Sequence, residues 1–180
     1  MRVIAGFARR TALVAPVGLS TRPTSDRCKE NLFNILGEQV RGARVLDIFC
    51  GSGAIGIEAL SRGAEKAVFV DCDSSAVKAV KTNLLKTKLS ANALVLEMLV
   101  EQAVKRLSAE KFNIIFLDPP YNSQQVSEIL AELFPLLDED GLIVAETHIE
   151  FVPPKHNEGN LADTRIYGQT KFLFYKMDSI

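Results

Sequence analysis

Val45-Leu46-Asp47-Ile48-Phe49-Cys50-Gly51-Ser52-Gly53-Ala54-Ile55-Gly56 decides the fold. Its apolar start reads as a strand of a parallel sheet. Gly51, Gly53 and Gly56 then fit G-x-G-x-x-G, in which a strand turns sharply into a helix and the main chain lets a cofactor approach closely. Nicotinamide and S-adenosylmethionine enzymes share this pattern, and Asp47 separates them. A carboxylate four residues before the first glycine repels a pyrophosphate seated at the helix N-terminus. It suits the ammonium of S-adenosylmethionine, directly or through water. The competing reading is a strand-end acid that caps a backbone amide.

Outward from this stretch, strands and helices alternate. Strands are predicted over 44–49, 66–70, 93–96, 112–117 and 141–146, with helices over 54–61, 74–87, 100–107 and 123–137 between them. The end, 164–167 and 171–176 around Gly168-Gln169, reads as an antiparallel hairpin. Repeated β-α units predict a parallel sheet with helices on both faces. The terminal hairpin makes this a mostly parallel seven-stranded sheet of the Rossmann-like class I methyltransferase type. Before it, residues 1–24 read as a short hairpin and an extended segment. Thr24 or Ser25 caps a helix over 26–40, with Leu32, Ile35, Leu36 and Val40 on one face. One domain is expected over 1–180, with a basic extension over 1–42 and a cofactor-binding core over 43–180.

Asp118-Pro119-Pro120-Tyr121 follows the fourth core strand. Ligands of open α/β sheets bind just past the carboxyl ends of strands. A carboxylate, two stiff prolines and an aromatic ring there suit the holding of a flat, amine-bearing group. The prolines fix the backbone and withdraw two amide donors. Asp71 ends the second strand, where an acid takes ribose hydroxyls, while Asp73 or Ser74 caps the next helix. Glu97 and Met98, after the third strand, are candidates for the adenine pocket.

Composition narrows the rest. With 47% hydrophobic and 24% charged residues, the chain has the make-up of a folded soluble protein. No apolar run approaches a membrane span and no signal peptide is expected, so the cytoplasm is the expected compartment. Cys28, Cys50 and Cys72 are too scattered for a zinc site or disulfide framework, and no metal is expected. His148 and His156 are read as incidental. Residues 1–44 carry a net charge of +5 and the remainder −6. A basic segment on an acidic body hints at a nucleic-acid footprint.

Arg2-Val3-Ile4-Ala5-Gly6, Thr21 to Arg27, Asn31 to Leu36, Leu46 to Gly53, Glu58 to Ala64 and Tyr167-Gly168-Gln169-Thr170, together with Asp118 to Tyr121, resemble the bacterial 16S ribosomal RNA guanine-966 N2-methyltransferase family. The resemblance covers nearly the whole chain. Cys50 stands where that family usually has Ala, and Asp71 where it usually has Glu. The resemblance implies methyl transfer from S-adenosylmethionine to the exocyclic N2 of a guanine in 16S rRNA, within an assembling 30S subunit; a monomer is expected, since nothing in the sequence demands a partner chain. Asp118, Pro119, Pro120 and Tyr121 are then the catalytic candidates. Asp47, Phe49, Gly51, Ser52, Gly53, Asp71, Cys72, Glu97 and Met98 are the cofactor contacts. Arg9, Arg10, Arg22 and Arg27 are the RNA contacts. The nearest alternative is a DNA adenine-N6 or cytosine-N4 methyltransferase, disfavoured because the chain seems too short for a target-recognition domain. An NAD-dependent oxidoreductase is more distant, since it leaves Asp118 to Tyr121 without a task.

Overall fold

The computed structural model describes residues 1–17, 25–119, 123–153 and 159–177. The strand β1 (Arg44–Ile48) lies centrally. On one side it pairs in parallel with β2 (Lys66–Asp71), which pairs with β3 (Ala93–Glu97). On the other it pairs in parallel with β4 (Phe112–Leu117), followed by β5 (Leu137–His148). The hairpin of β6 (Gly159–Tyr167) and β7 (Thr170–Met177) closes the sheet, with β7 antiparallel to both β5 and β6. The order is β3-β2-β1-β4-β5-β7-β6. This is the Rossmann-like class I arrangement that the alternation of elements predicted. Strand order reverses between β1 and β4, so the crevice beyond their carboxyl ends is the expected ligand position.

Side chains alternate across the sheet, and each face carries its own core. Val45, Phe69, Ile114, Phe116, Val144 and Phe172 belong to the first core. They pack with α1 (Asp26–Leu36), α2 (Ala54–Ser61) and α3 (Ser74–Thr87). Leu46, Ile48, Val68, Ile115, Leu117 and Ile143 belong to the second. These pack with α4 (Val100–Arg106) and α5 (Ser123–Leu133). The alternation turns Asp47, between Leu46 and Ile48, toward the first face.

The N-terminal segment departs from expectation in detail. Among the described residues its hairpin is one isolated bridge, Arg2 to Ala12. Around that bridge the amides of Val3, Arg10 and Leu13 donate to the carbonyls of Thr11, Val3 and Met1, and side chains fix the segment to the core. The Glu58 carboxylate accepts from the amides of Ile4 (2.7 Å) and Ala5 (3.0 Å). Lys29 is fully buried, donates to the Arg2 carbonyl at 2.6 Å and pairs with Glu58 at 3.4 Å. Burial lowers the Lys29 pKa and Glu58 opposes that shift. Ser25 caps α1 by accepting from the Cys28 amide. The helix ends at Leu36, and a 3-10 turn, Gly37–Val40, follows. Its inner face is Lys29, Leu32, Phe33 and Leu36, while Ile35 is exposed. Hydrophobic periodicity alone could not place a lysine inside, because the buried partner comes from another helix.

Candidate active site

The glycine turn is built by two acids. The Asp71 Oδ2 accepts from the Gly51 amide and its Oδ1 from the Asp73 amide, both at 2.9 Å. Asp73 in turn caps α3 by accepting from the Ser75 amide at 2.7 Å. Gly51 and Gly53 have φ of 52° and 72°, a region that penalises any side chain. A Cβ built on Gly51 meets nothing within 4 Å, so the space above the turn is open. One on Gly56 falls 2.4 Å from the Phe69 ring, so this helix packs on the sheet only with glycine there.

Asp47 is 4% exposed, and its Oδ2 accepts from the Gly56 amide at 2.9 Å. The capping reading therefore holds for one of its oxygens. Burial pushes its pKa up to about 7; the bond from Gly56 opposes this and the Asp71 charge adds to it.

β4 brings the second motif alongside. Ile48 pairs with Leu117, and the Asp118 amide donates to the Ile48 carbonyl at 3.4 Å. Pro119 is buried. The Asp118 side chain is exposed yet surrounded by protein. That surrounding raises its pKa well above the usual carboxylate range, and the charges of Glu146 and Asp47 add to the rise. Contact with water keeps the rise below that of a sealed carboxylate. Glu146, at which the fifth predicted strand ended, was not singled out in the sequence. Its available signal was its place beside the strand that carries Asp118.

The other candidates fall into three groups. Ser52, in the turn, donates to the Met1 sulfur, and its carbonyl accepts from Asn83. Phe49 has φ of 57° and packs against the second core. Cys72 is exposed. Glu97 is exposed at the end of β3, opposite Asp71, and the Met98 amide donates to the Asp71 carbonyl. Asp47, Phe49, Gly51, Ser52, Gly53, Asp71, Cys72, Glu97, Met98, Asp118 and Pro119 thus gather at the carboxyl ends of four adjacent strands. Arg27 is exposed in the first turn of α1. Arg9 and Arg10 are exposed on a turn seated against Ser61, at the far end of α2. Pro120, Tyr121 and Arg22 lie outside the described residues.

Comparison with known proteins follows the same lines. YlbH of Bacillus subtilis (strain 168) is 43% identical over 182 residues, covering 98% of both chains. Ribosomal RNA small subunit methyltransferase D of Escherichia coli (strain K12) is 32% identical over 188 residues, covering 99% of this chain and 91% of its own length. The solved structure of yhhF from Escherichia coli superposes with a TM-score of 0.84 at 33% identity, over 99% of this chain and 98% of that one. The model of the family described as "Conserved hypothetical protein 95" matches residues 1–176. The chain belongs to that family and, by its full-length relatives, to the ribosomal RNA small subunit methyltransferase D family.

Proposed function

We propose that this protein transfers a methyl group from S-adenosylmethionine to the exocyclic N2 amine of a guanine in 16S rRNA of the assembling small ribosomal subunit. The observation that carries this reading is the juxtaposition of β1 and β4. Their paired ends set the glycine turn beside Asp118-Pro119. The ribosomal RNA named in the description of the Escherichia coli relative supports the substrate class.

The residues present fit the cofactor. Asp47 and Asp71 are acceptors beside an open, glycine-lined turn. Each Asp71 oxygen has one backbone partner and retains a lone pair. Such a site suits an ammonium and a ribose diol, and it repels a pyrophosphate. S-Adenosylmethionine supplies an electrophilic methyl group on its sulfonium. Asp47 faces the ammonium, and Asp71 takes the ribose hydroxyls.

Asp118 and the Pro119 carbonyl hold the guanine amine. Its lone pair is delocalised into the ring, so the nitrogen is a poor nucleophile. Two acceptors on its N–H bonds favour pyramidal nitrogen and aim the lone pair. Positive charge then moves onto nitrogen, and the Asp118 carboxylate stabilises it by preorganised electrostatics. The surplus proton leaves after transfer, to water or to Asp118. The target guanine is unpaired or flipped out of its helix.

Asp118→Ala tests this. With radiolabelled cofactor and 16S rRNA from cells lacking the protein, methylation should fall by roughly 100-fold or more. Calorimetric binding of S-adenosylhomocysteine should persist. Undiminished methylation of guanine N2 by the variant would remove the proposal's foundation.

A further inference from the structure

We infer that Glu146 selects the base: its carboxylate accepts the guanine N1–H while the neighbouring Asp118 accepts from N2. This rests on the reaction proposed above and deepens it.

Sheet register supplies the geometry. Phe116 pairs with Val144 and Leu117 with Ala145. Phe116 and Val144 lie in the first core, Leu117 and Ala145 in the second. One step further, Asp118 and Glu146 return to the first face, on strands roughly 4.8 Å apart. The antiparallel neighbour agrees, because Glu146 pairs with Phe172, also of the first core. Glu146 is partly accessible and Asp118 exposed, so neither residue is sealed in the core. The charges acting on Asp118 are those of Glu146 and Asp47, both acidic.

Two adjacent acceptors call for two adjacent donors. An exocyclic amine alone occupies one of them. Guanine carries N1–H next to its N2 amine, so its edge offers two donors side by side. Adenine and cytosine carry a bare ring nitrogen next to their amine. That nitrogen is an acceptor, and a carboxylate facing it meets lone pair with lone pair. Glu146 thus favours guanine and also repels the two other amine-bearing bases. A bare ring nitrogen at that position sets its lone pair against carboxylate oxygens with no proton between them, so an analogue lacking the N1–H is disfavoured.

The probe is an RNA in which 2-aminopurine replaces the target guanine. It keeps the N2 amine and presents N1 as an acceptor. Wild-type enzyme should favour guanine by roughly 100-fold or more in kcat/KM. Glu146→Gln offers an amide that donates to a bare N1, so guanine should lose about 10–100-fold while 2-aminopurine holds or gains. Glu146→Asp should retain the preference for guanine, and S-adenosylhomocysteine affinity should be unchanged in both variants. An unaltered guanine to 2-aminopurine ratio in Glu146→Gln overturns the assignment. Equal use of the two RNAs by wild-type enzyme overturns it without any variant. Wild-type activity on neither RNA would instead count against the parent reaction.

Discussion

The buried cap that Asp47 provides and the contact with a cofactor ammonium proposed for it pull its protonation in opposite directions. Burial, opposed by the bond from Gly56 and reinforced by the Asp71 charge, pushes its pKa from 3.8 to about 7, whereas a cationic partner needs the carboxylate ionised. In the cofactor-free protein the folded state therefore holds a proton that the unfolded chain has released between these values. Stability should fall as pH rises through that window. Asp47→Asn keeps an acceptor for the Gly56 amide without the charge. Its melting temperature should vary less between about pH 5 and pH 8 and exceed that of the wild type at the upper end. Affinity for S-adenosylmethionine should move the other way, rising through about pH 7 in the wild type and losing that dependence in the variant. Calorimetry across pH decides; a pH-independent wild-type affinity would dissociate Asp47 from the cofactor. The sequence showed this acid at a strand end because strand, turn and helix are adjacent in the chain. It left the choice between capping and ligand binding open, because that depends on where the Gly56 amide comes to lie. The bonds that Asp71 accepts from the Gly51 and Asp73 amides were illegible for the same reason.

At the scale of elements, α1, α2 and the N-terminal segment meet at one carboxylate. Glu58 accepts from two backbone amides and from Arg62 and pairs with the buried Lys29. Removing the acid strands a buried cation and two amides, whereas removing the cation leaves the acid with three donors. Glu58→Ala should thus cost about 3–5 kcal/mol in urea denaturation, and Lys29→Met far less. Equal losses would show that Lys29, not the amides, makes this junction matter. The existence of α1 was legible from its cap and its apolar spacing. Its inward face was not, because Lys29 is drawn in by a glutamate 29 positions away in sequence. The same fact corrects the charge map: one of the eight basic residues among the first 44 is sealed in the core and offers nothing to RNA.

Across the whole molecule, the arginine pair Arg9 and Arg10 is set apart from the glycine turn. Arg9 and Arg10 stand on a turn fixed by bonds from the Phe7 and Ala8 amides to Ser61, with Phe7 itself 90% exposed beside them. Ser61 ends α2, whose other end follows the glycine turn, and at 1.5 Å per residue the two ends lie roughly 12 Å apart. The arginines therefore stand away from the glycine turn, and their proposed phosphates belong to RNA some distance from the proposed target base. Arg9→Ala with Arg10→Ala should raise KM on full-length 16S rRNA while leaving kcat unchanged, because the lost contacts are equal in ground and transition states. The salt dependence of binding should flatten by about two phosphate contacts. On an RNA trimmed to the loop that bears the target guanine, the double variant and the wild type should perform alike. A lowered kcat, or an undiminished penalty on the trimmed RNA, would mean that the turn acts on the reaction pocket itself and that the long footprint is an illusion of charge.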